Sequence, residues 1–327
     1  MTLLEVDSLK VRFRTEEGYV EPLDGVGFKL ENGEIIGLVG ETGSGKSVTS
    51  QAVMGLLPFL GGEAVTGRIV FQGQNLLECS EREWRDIRGN RMSLIPQNPM
   101  TSLDPVYRVG DQIVEGLLLH LNISRREAKN KVVDLMTSLR IPNADRVFYQ
   151  YPHQLSGGLK QRIVIAMGLG ADPRLLIADE PTTALDVTVQ AQIVTLFKEM
   201  VTARGIGLLL ITHDLGVIAQ ICDKVAVMYA GTVVEYGGVD EVFESPRHPY
   251  TASLLGCIPT LGMEQGTLRA IPGNVPSVRT FPRGCRYHPR CADRMDICAA
   301  AKPENYSPAE GVWTACHKYT GRAGELA

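Results

Sequence analysis

The run Ile35-Ile-Gly-Leu-Val39 opens directly into Gly40-Glu-Thr-Gly-Ser-Gly-Lys-Ser47, and this junction constrains the fold more than any other feature. An apolar strand must end where the glycines begin. A helix, expected from about Lys46 to Leu57, must begin where they end. The glycines let backbone N–H groups turn inward on phosphates, Lys46 reaches the terminal phosphates, and Ser47 offers its hydroxyl to Mg²⁺. The expected contacts of a nucleoside triphosphate are therefore Gly40, Thr42, Gly43, Ser44, Gly45, Lys46, Ser47 and the adjoining Val48. By itself the motif says only that such a nucleotide binds.

A second apolar run, Leu175-Leu-Ile-Ala178, delivers Asp179 and Glu180 to its end, the place where ligands sit in open parallel sheets. Two acids at a strand end are otherwise a solvated tip. Beside a phosphate loop, Asp179 is expected to hold Mg²⁺ and Glu180 to orient and deprotonate an attacking water. Gln97, after Met92-Ser-Leu-Ile95 and a proline, offers a neutral amide to Mg²⁺ or water. His213 closes the run Leu208–Thr212 and can reach a γ-phosphate. Alone, each of these two reads as an ordinary loop or strand-end residue.

The turn Leu155-Ser-Gly-Gly-Leu-Lys-Gln-Arg162 is predicted to open a helix over Leu159 to Gly168, so its amides and the positive helix end also face an anion. Two anion cradles and one set of catalytic carboxylates imply an ATP site shared between two subunits.

Around these motifs, alternation predicts strands through Leu4–Phe13, with a turn at Glu16-Glu-Gly18, and over Val26–Leu30. Helical spacing (Ile113, Leu117, Leu121; Val132, Val133, Leu135, Met136, Leu139) marks a helical insert at about 100–170. A helix from about Val189 to Val201 separates the later strands. A hairpin joins Val225–Tyr229 to Thr232–Glu235 through Ala-Gly. The expected class is α/β: a mainly parallel sheet, an antiparallel β part at the N-terminus, the helical insert, and a small irregular Cys-rich C-terminal domain. The boundary is placed near Gly256 to Gly266, giving domains of 1–256 and 257–327.

The order phosphate loop, Gln97, Leu-Ser-Gly-Gly, Asp179-Glu180, Ala184-Leu-Asp186, His213 resembles that of an ATP-binding-cassette (ABC) ATPase from residue 3 to about 255. The resemblance implies two cassettes closing head to tail over two ATP molecules. Ser156, Gly157, Gly158 and Asp186 then complete, in trans, a site built on the other subunit's lysine. It also implies an aromatic stack on adenine, for which Phe13 fits best and Tyr19 second. Leu159 stands where the family commonly has glutamine, and Pro96 where it has a bulkier residue. Rival uses of a phosphate loop fit less well. A small-molecule kinase has no role for the Leu-Ser-Gly-Gly turn, and soluble cassettes acting on ribosomes or DNA usually carry two cassettes or a coiled-coil insert.

Beyond the cassette, Ser245-Pro-Arg-His-Pro-Tyr-Thr251, Ile271-Pro-Gly273 and the cysteines that follow resemble the C-terminal extension of dipeptide and oligopeptide importer ATPases. Nickel and some sugar importers share it. That likeness implies a related second ATPase as partner rather than an identical one, two transmembrane permease subunits, an extracytoplasmic peptide-binding protein, and a peripheral place on the cytoplasmic face of the membrane.

Of seven cysteines, Cys79, Cys222 and Cys257 are scattered, whereas Cys285, Cys291, Cys298 and Cys316 crowd the tail. The opening Met1-Thr-Leu-Leu-Glu-Val-Asp is not expected to act as a secretory signal, and in a chain expected to be cytosolic such a cluster points to metal before disulfides. The intervals of five, six and seventeen residues lack the close pairs of structural zinc sites. They suit a 4Fe–4S cluster, which some members of the importer subfamily bind, with Zn²⁺ or no metal as alternatives. His288 and His317 could replace a cysteine. Arg279, Arg283, Arg286, Arg290 and Arg294 interleave the ligands and are expected to favour thiolates. The formal charge of −4 argues against non-specific nucleic-acid binding. No apolar run approaches the roughly 20 residues that span a bilayer.

Overall fold

The computed structural model describes residues 1–183, 185–258 and 270–319. Ala184, residues 259–269 of the expected boundary and residues 320–327 of the expected C-terminal domain lie outside the described residues. Twelve strands run through the described chain: β1 (Thr2–Thr15), β2 (Gly18–Glu31), β3 (Ile35–Val39), β4 (Gly62–Phe71), β5 (Gln74–Asn75), β6 (Met92–Ile95), β7 (Leu175–Asp179), β8 (Gly207–Thr212), β9 (Lys224–Tyr229), β10 (Thr232–Gly238), β11 (Asn305–Ala309) and β12 (Val312–Ala315). They belong to two compact units that do not follow chain order. One takes Met1, 31–34 and 78–211; the other takes 2–30, 35–77 and the chain from 212 onward.

In the first unit, β6, β7 and β8 lie side by side and parallel, with Met92 opposite Leu175 and Leu175 opposite Gly207. The four residues Leu175–Ala178 are buried, as a strand covered on both faces requires. The helical insert is present as Val109–His120, Arg125–Ser138 and Gly157–Leu169, with the short helix Ala144–Val147 and a 3₁₀ turn at Pro152–Gln154 between the last two. Ile113, Leu117, Val132, Leu135, Met136 and Leu139 form its inner face. The longest of the three starts at a capping box: Ser124 accepts from the Glu127 N–H while Glu127 reaches back to the Ser124 N–H.

In the second unit, β3 runs parallel to β9, and β9 turns back into antiparallel β10. Ala230 and Gly231 both take positive φ (45° and 81°), the backbone a two-residue hairpin demands. A Cβ at position 231 would strike the Pro22 carbonyl oxygen at 2.0 Å. A separate antiparallel sheet has the order β2-β1-β4-β5.

Three expectations are corrected. The helix after the phosphate loop ends at Val53, not near Leu57; Gly55 takes φ 64° and Leu57–Leu60 forms a separate 3₁₀ turn. The second strand covers Gly18–Glu31, not only Val26–Leu30; Pro22 and Gly25 interrupt the alternation that would have revealed its first half. The tail is not irregular throughout: β12 pairs with β10 (Trp313 opposite Tyr236), and β11 pairs with β12. Val312 and Thr314 alternate inward, a pattern too short to stand out among the surrounding prolines and glycines.

Candidate active site

The phosphate loop is locally over-determined. Gly40 takes φ 152°, and a Cβ there would lie 2.1 Å from the Met228 carbonyl oxygen; Gly45 takes φ 104° and would press on Leu23. No side chain fits either position. Lys46, 6 % exposed, donates from Nζ to the carbonyls of Gly40 (2.7 Å) and Glu41 (3.1 Å). Its charge is thus held within the loop. Ser44 is buried, while Thr42, Gly43 and Ser47 face solvent. Ser47 follows Lys46 in the first turn of the helix Lys46–Val53, where backbone N–H groups lack intrahelical partners.

The carboxylate end of β7 is built by side chains instead. Glu180 takes φ 47°, a left-handed backbone that a non-glycine residue adopts only when its surroundings enforce it. Its N–H donates to the Ile211 carbonyl at 2.8 Å. Its Oε2 accepts from Gln97 Nε2 at 2.9 Å and from Thr183 Oγ1 at 3.0 Å. Two of the expected residues, Gln97 and Glu180, are thereby brought into contact. Thr183 was missed by sequence reasoning; its position three residues after the acid was the available signal.

On the same unit, Ser156 caps the helix Gly157–Leu169, its Oγ accepting from the Leu159 N–H at 3.4 Å. The helix thus starts two residues earlier than Leu159, because the two glycines form its first turn. Ser156 and Gly157 are exposed. A Cβ at Gly158 would press on Val189 at 2.9 Å. Arg162, at the end of the motif, donates to the Leu139 carbonyl in the helical insert and to Gln192 Oε1 on the helix Val187–Arg204. Asp186 caps Val187–Arg204, accepting from the Val189 N–H at 2.9 Å. Lys46, Ser47, Val48, His213, Phe13 and Tyr19 belong to the other unit. There, His213 is exposed just before Asp214, which caps the helix Leu215–Ile221.

Comparison with known proteins shows the family to which the chain belongs. The ABC transporter family profile matches residues 23–183, and that of the oligopeptide/dipeptide transporter C-terminal region matches residues 234–298. The chain is 44 % identical to the oligopeptide transport ATP-binding protein AppD of Bacillus subtilis, over 99 % of both chains. It is 48 % identical to OppD of Salmonella typhimurium, over 97 % of this chain and 93 % of that one. The chain belongs to the ABC transporter ATPases. Its fold matches a dimeric ATP-binding cassette bound to ADP and Pi with TM-score 0.65 at 22 % identity, covering 72 % of this chain and 98 % of that one.

Of the two aromatic residues expected to stack on adenine in this ABC ATPase, Phe13 is half-buried opposite Gly62 in the β1–β4 pairing. Tyr19 is exposed, with the Arg12 guanidinium 4.7 Å from its ring centre.

The tail of the ABC ATPase gathers its four cysteines without converging them. Cys285 donates its N–H to the Cys298 carbonyl at 2.8 Å. Burial pushes the Cys285 thiol up to about 11, and Cys298, Cys316 and Cys291 each add to the rise. Burial also raises Cys291 and Cys316. Among the described residues, no three His, Cys, Asp or Glu side chains form a group that could hold a metal ion. The donor set is soft and correct for iron–sulfur chemistry, but its arrangement here gives a metal no support. His288 and His317 are hydrogen-bonded to the carbonyls of Cys285 and Ala301. The expectation that the arginines favour thiolates is corrected for three of them. Arg279 pairs with Glu17, Arg286 with Asp24, and Arg290 with Glu41, each finding a carboxylate far away in sequence.

Proposed function

We propose that this chain is the ATP-hydrolysing subunit of a di- or oligopeptide importer, working as one of a pair of cassettes. The observation that carries the catalytic part is the grip of Gln97 and Thr183 on Glu180 Oε2 at the end of β7. A carboxylate fixed by two donors yet only partly buried suits a general base that takes a proton from water. Lys46 and the amides of residues 40–48 bind the phosphates, and Phe13 stacks on adenine with Tyr19 as the alternative. His213 contacts the γ-phosphate. The Ser47 hydroxyl, the Asp179 carboxylate and the Gln97 amide are hard oxygen donors, the set Mg²⁺ prefers. Mg²⁺, when bound, would supply charge neutralisation on the phosphate oxygens.

The exposed cap of Ser156, with Gly157, Gly158 and Asp186, completes the site of a second cassette. That cassette is a related ATPase rather than a copy. The peptide substrate rests on what AppD and OppD are named for, together with the tail match. Two permease subunits and an extracytoplasmic peptide-binding protein complete the importer, with this chain on the cytoplasmic face. Among the described residues no helix is long and apolar enough to cross a membrane. The helical insert instead exposes Met100, Val106, Tyr107 and Leu119. A groove of about 410 Å³ beside them, lined by Tyr107, Leu118 and Leu119, suits a short helix of a permease. In the tail, a 4Fe–4S cluster is the metal reading we favour over Zn²⁺. Its support is the cysteine spacing in the sequence. Iron and sulfide analysis of anaerobically purified protein tests it, and protein without either removes it.

The test of the catalytic reading is Glu180→Gln. ATP binding should survive while steady-state hydrolysis falls by about 10² or more. Hydrolysis at the normal rate would remove Glu180 from the role of base.

A further inference from the structure

Glu41 is the one acidic side chain in the phosphate loop, and it is gripped from outside the loop at both ends. Its carboxylate receives a fork from Arg290 of the tail, Nη1 to Oε2 at 2.7 Å and Nη2 to Oε1 at 3.1 Å. Its backbone N–H donates to the Tyr250 hydroxyl at 2.9 Å. Neither partner is a mobile surface group. The Arg290 side chain is 5 % exposed. It is braced by donation from Nε to the Pro272 carbonyl at 2.8 Å and by the Tyr229 ring beneath its guanidinium. Tyr250 is fully buried, edge-on to Tyr229 at 4.6 Å and tilted against Tyr287 at 5.3 Å. Inside the loop, the Glu41 carbonyl accepts from Lys46 Nζ and from the Ser44 N–H, each at 3.1 Å. One residue, Glu41, thus links the tail to the lysine expected to bind phosphate.

We propose that Arg290 is a positioning residue through which the C-terminal tail sets the nucleotide affinity of the phosphate loop. It neutralises the carboxylate that would otherwise repel a polyphosphate, and it steadies the peptide that holds Lys46. The chemistry is that of a paired carboxylate. A forked Arg–carboxylate contact is directional as well as strong, and removing one partner leaves a half-buried charge uncompensated. The inference rests on the ATP reading above and deepens it. The tail becomes part of the nucleotide site without touching the nucleotide.

The experiment measures MgATP affinity of the full chain by calorimetry for wild type, Arg290→Gln, Glu41→Gln and the double variant. Arg290→Gln should weaken binding by roughly tenfold. Glu41→Gln should shift binding the other way, because Arg290 then leaves net positive charge beside the loop. The double variant should return to within about threefold of wild type. A merely structural role for Arg290 predicts no such opposite sign and no rescue. Wild-type affinity in Arg290→Gln, or equal weakness in the double variant, overturns the proposal. If Arg290→Gln does not fold, Arg290→Lys replaces it. Lysine keeps the charge but cannot fork, so an intermediate loss supports the proposal and wild-type affinity overturns it. Failure of the wild-type chain to bind MgATP would instead strike the ATP reading itself.

Discussion

The phosphate loop and the C-terminal tail are held by opposite means. In the loop, eight consecutive residues supply both strained glycines and the lysine, and the lysine binds carbonyls of its own loop. In the tail, the anchors are single long-range pairs. Arg290 meets Glu41 from 249 residues away, and Arg286 meets Asp24 from 262. A local motif constrains its own backbone, so it survives changes elsewhere. A clamp made of distant ion pairs exists only after both ends have folded. The difference teaches that the tail can be loosened without unmaking the loop, while the loop's performance still depends on the tail.

The comparison breaks most severely at Lys46. Lys46→Ala should lower ATP affinity and hydrolysis by about 10² or more while leaving the melting temperature of the chain within a few degrees. A melting temperature that collapses with it would mean that the loop is not locally self-sufficient. Next comes Ser156→Arg, which should abolish hydrolysis by the assembled pair while MgATP still binds this chain's own loop. Loss of binding in the isolated chain would show that the turn acts within its own subunit.

A smaller effect is expected at the Asp24 hub, where Lys10, Lys302 and Arg286 converge at 2.8, 2.9 and 3.2 Å. Burial alone would raise the Asp24 carboxyl, but bonds from Lys10 and Lys302 and the nearby Arg286 charge bring it down to about 2. A depressed carboxylate stabilises the fold above its unfolded value near 3.8, and this contribution disappears as pH falls through about 2. Asp24→Asn should therefore cost about 2 kcal/mol at neutral pH, with the gap from wild type closing in acid denaturation between those two values. A gap that persists at the acid end would assign the loss to packing. The smallest change in this chain alone should come from Leu119→Asp. ATP affinity stays as it was, and only hydrolysis stimulated by the permease partners declines.

Much of the candidate site was legible because its parts are contiguous. Gly40–Ser47, Leu155–Arg162 and Asp179-Glu180 each announce a backbone geometry together with a chemistry. The contact between Gln97 and Glu180 could be expected only from the family order of motifs, since nothing local to Gln97 points to an acid 83 residues on. Thr183 escaped because a threonine in a polar turn carries no periodic signal. The arginines of the tail were misread for the same reason. Their spacing relates them to the cysteines, but charges seek the nearest desolvated partner, and that partner lay in β2 or in the phosphate loop.

The sequence by itself determined the strand–loop–helix, the acid-tipped strand, the helical insert and the membership that their order implies. Glycine stereochemistry, apolar periodicity and capping act over a few neighbouring residues and can be read there. Only the tertiary structure decided that β11 and β12 extend the sheet through β10, that Glu180 sits in a left-handed backbone between Gln97 and Thr183, and that Arg290 closes on Glu41. These depend on which buried charge finds which partner across the folded chain, a choice made by desolvation and distance and not by position in sequence.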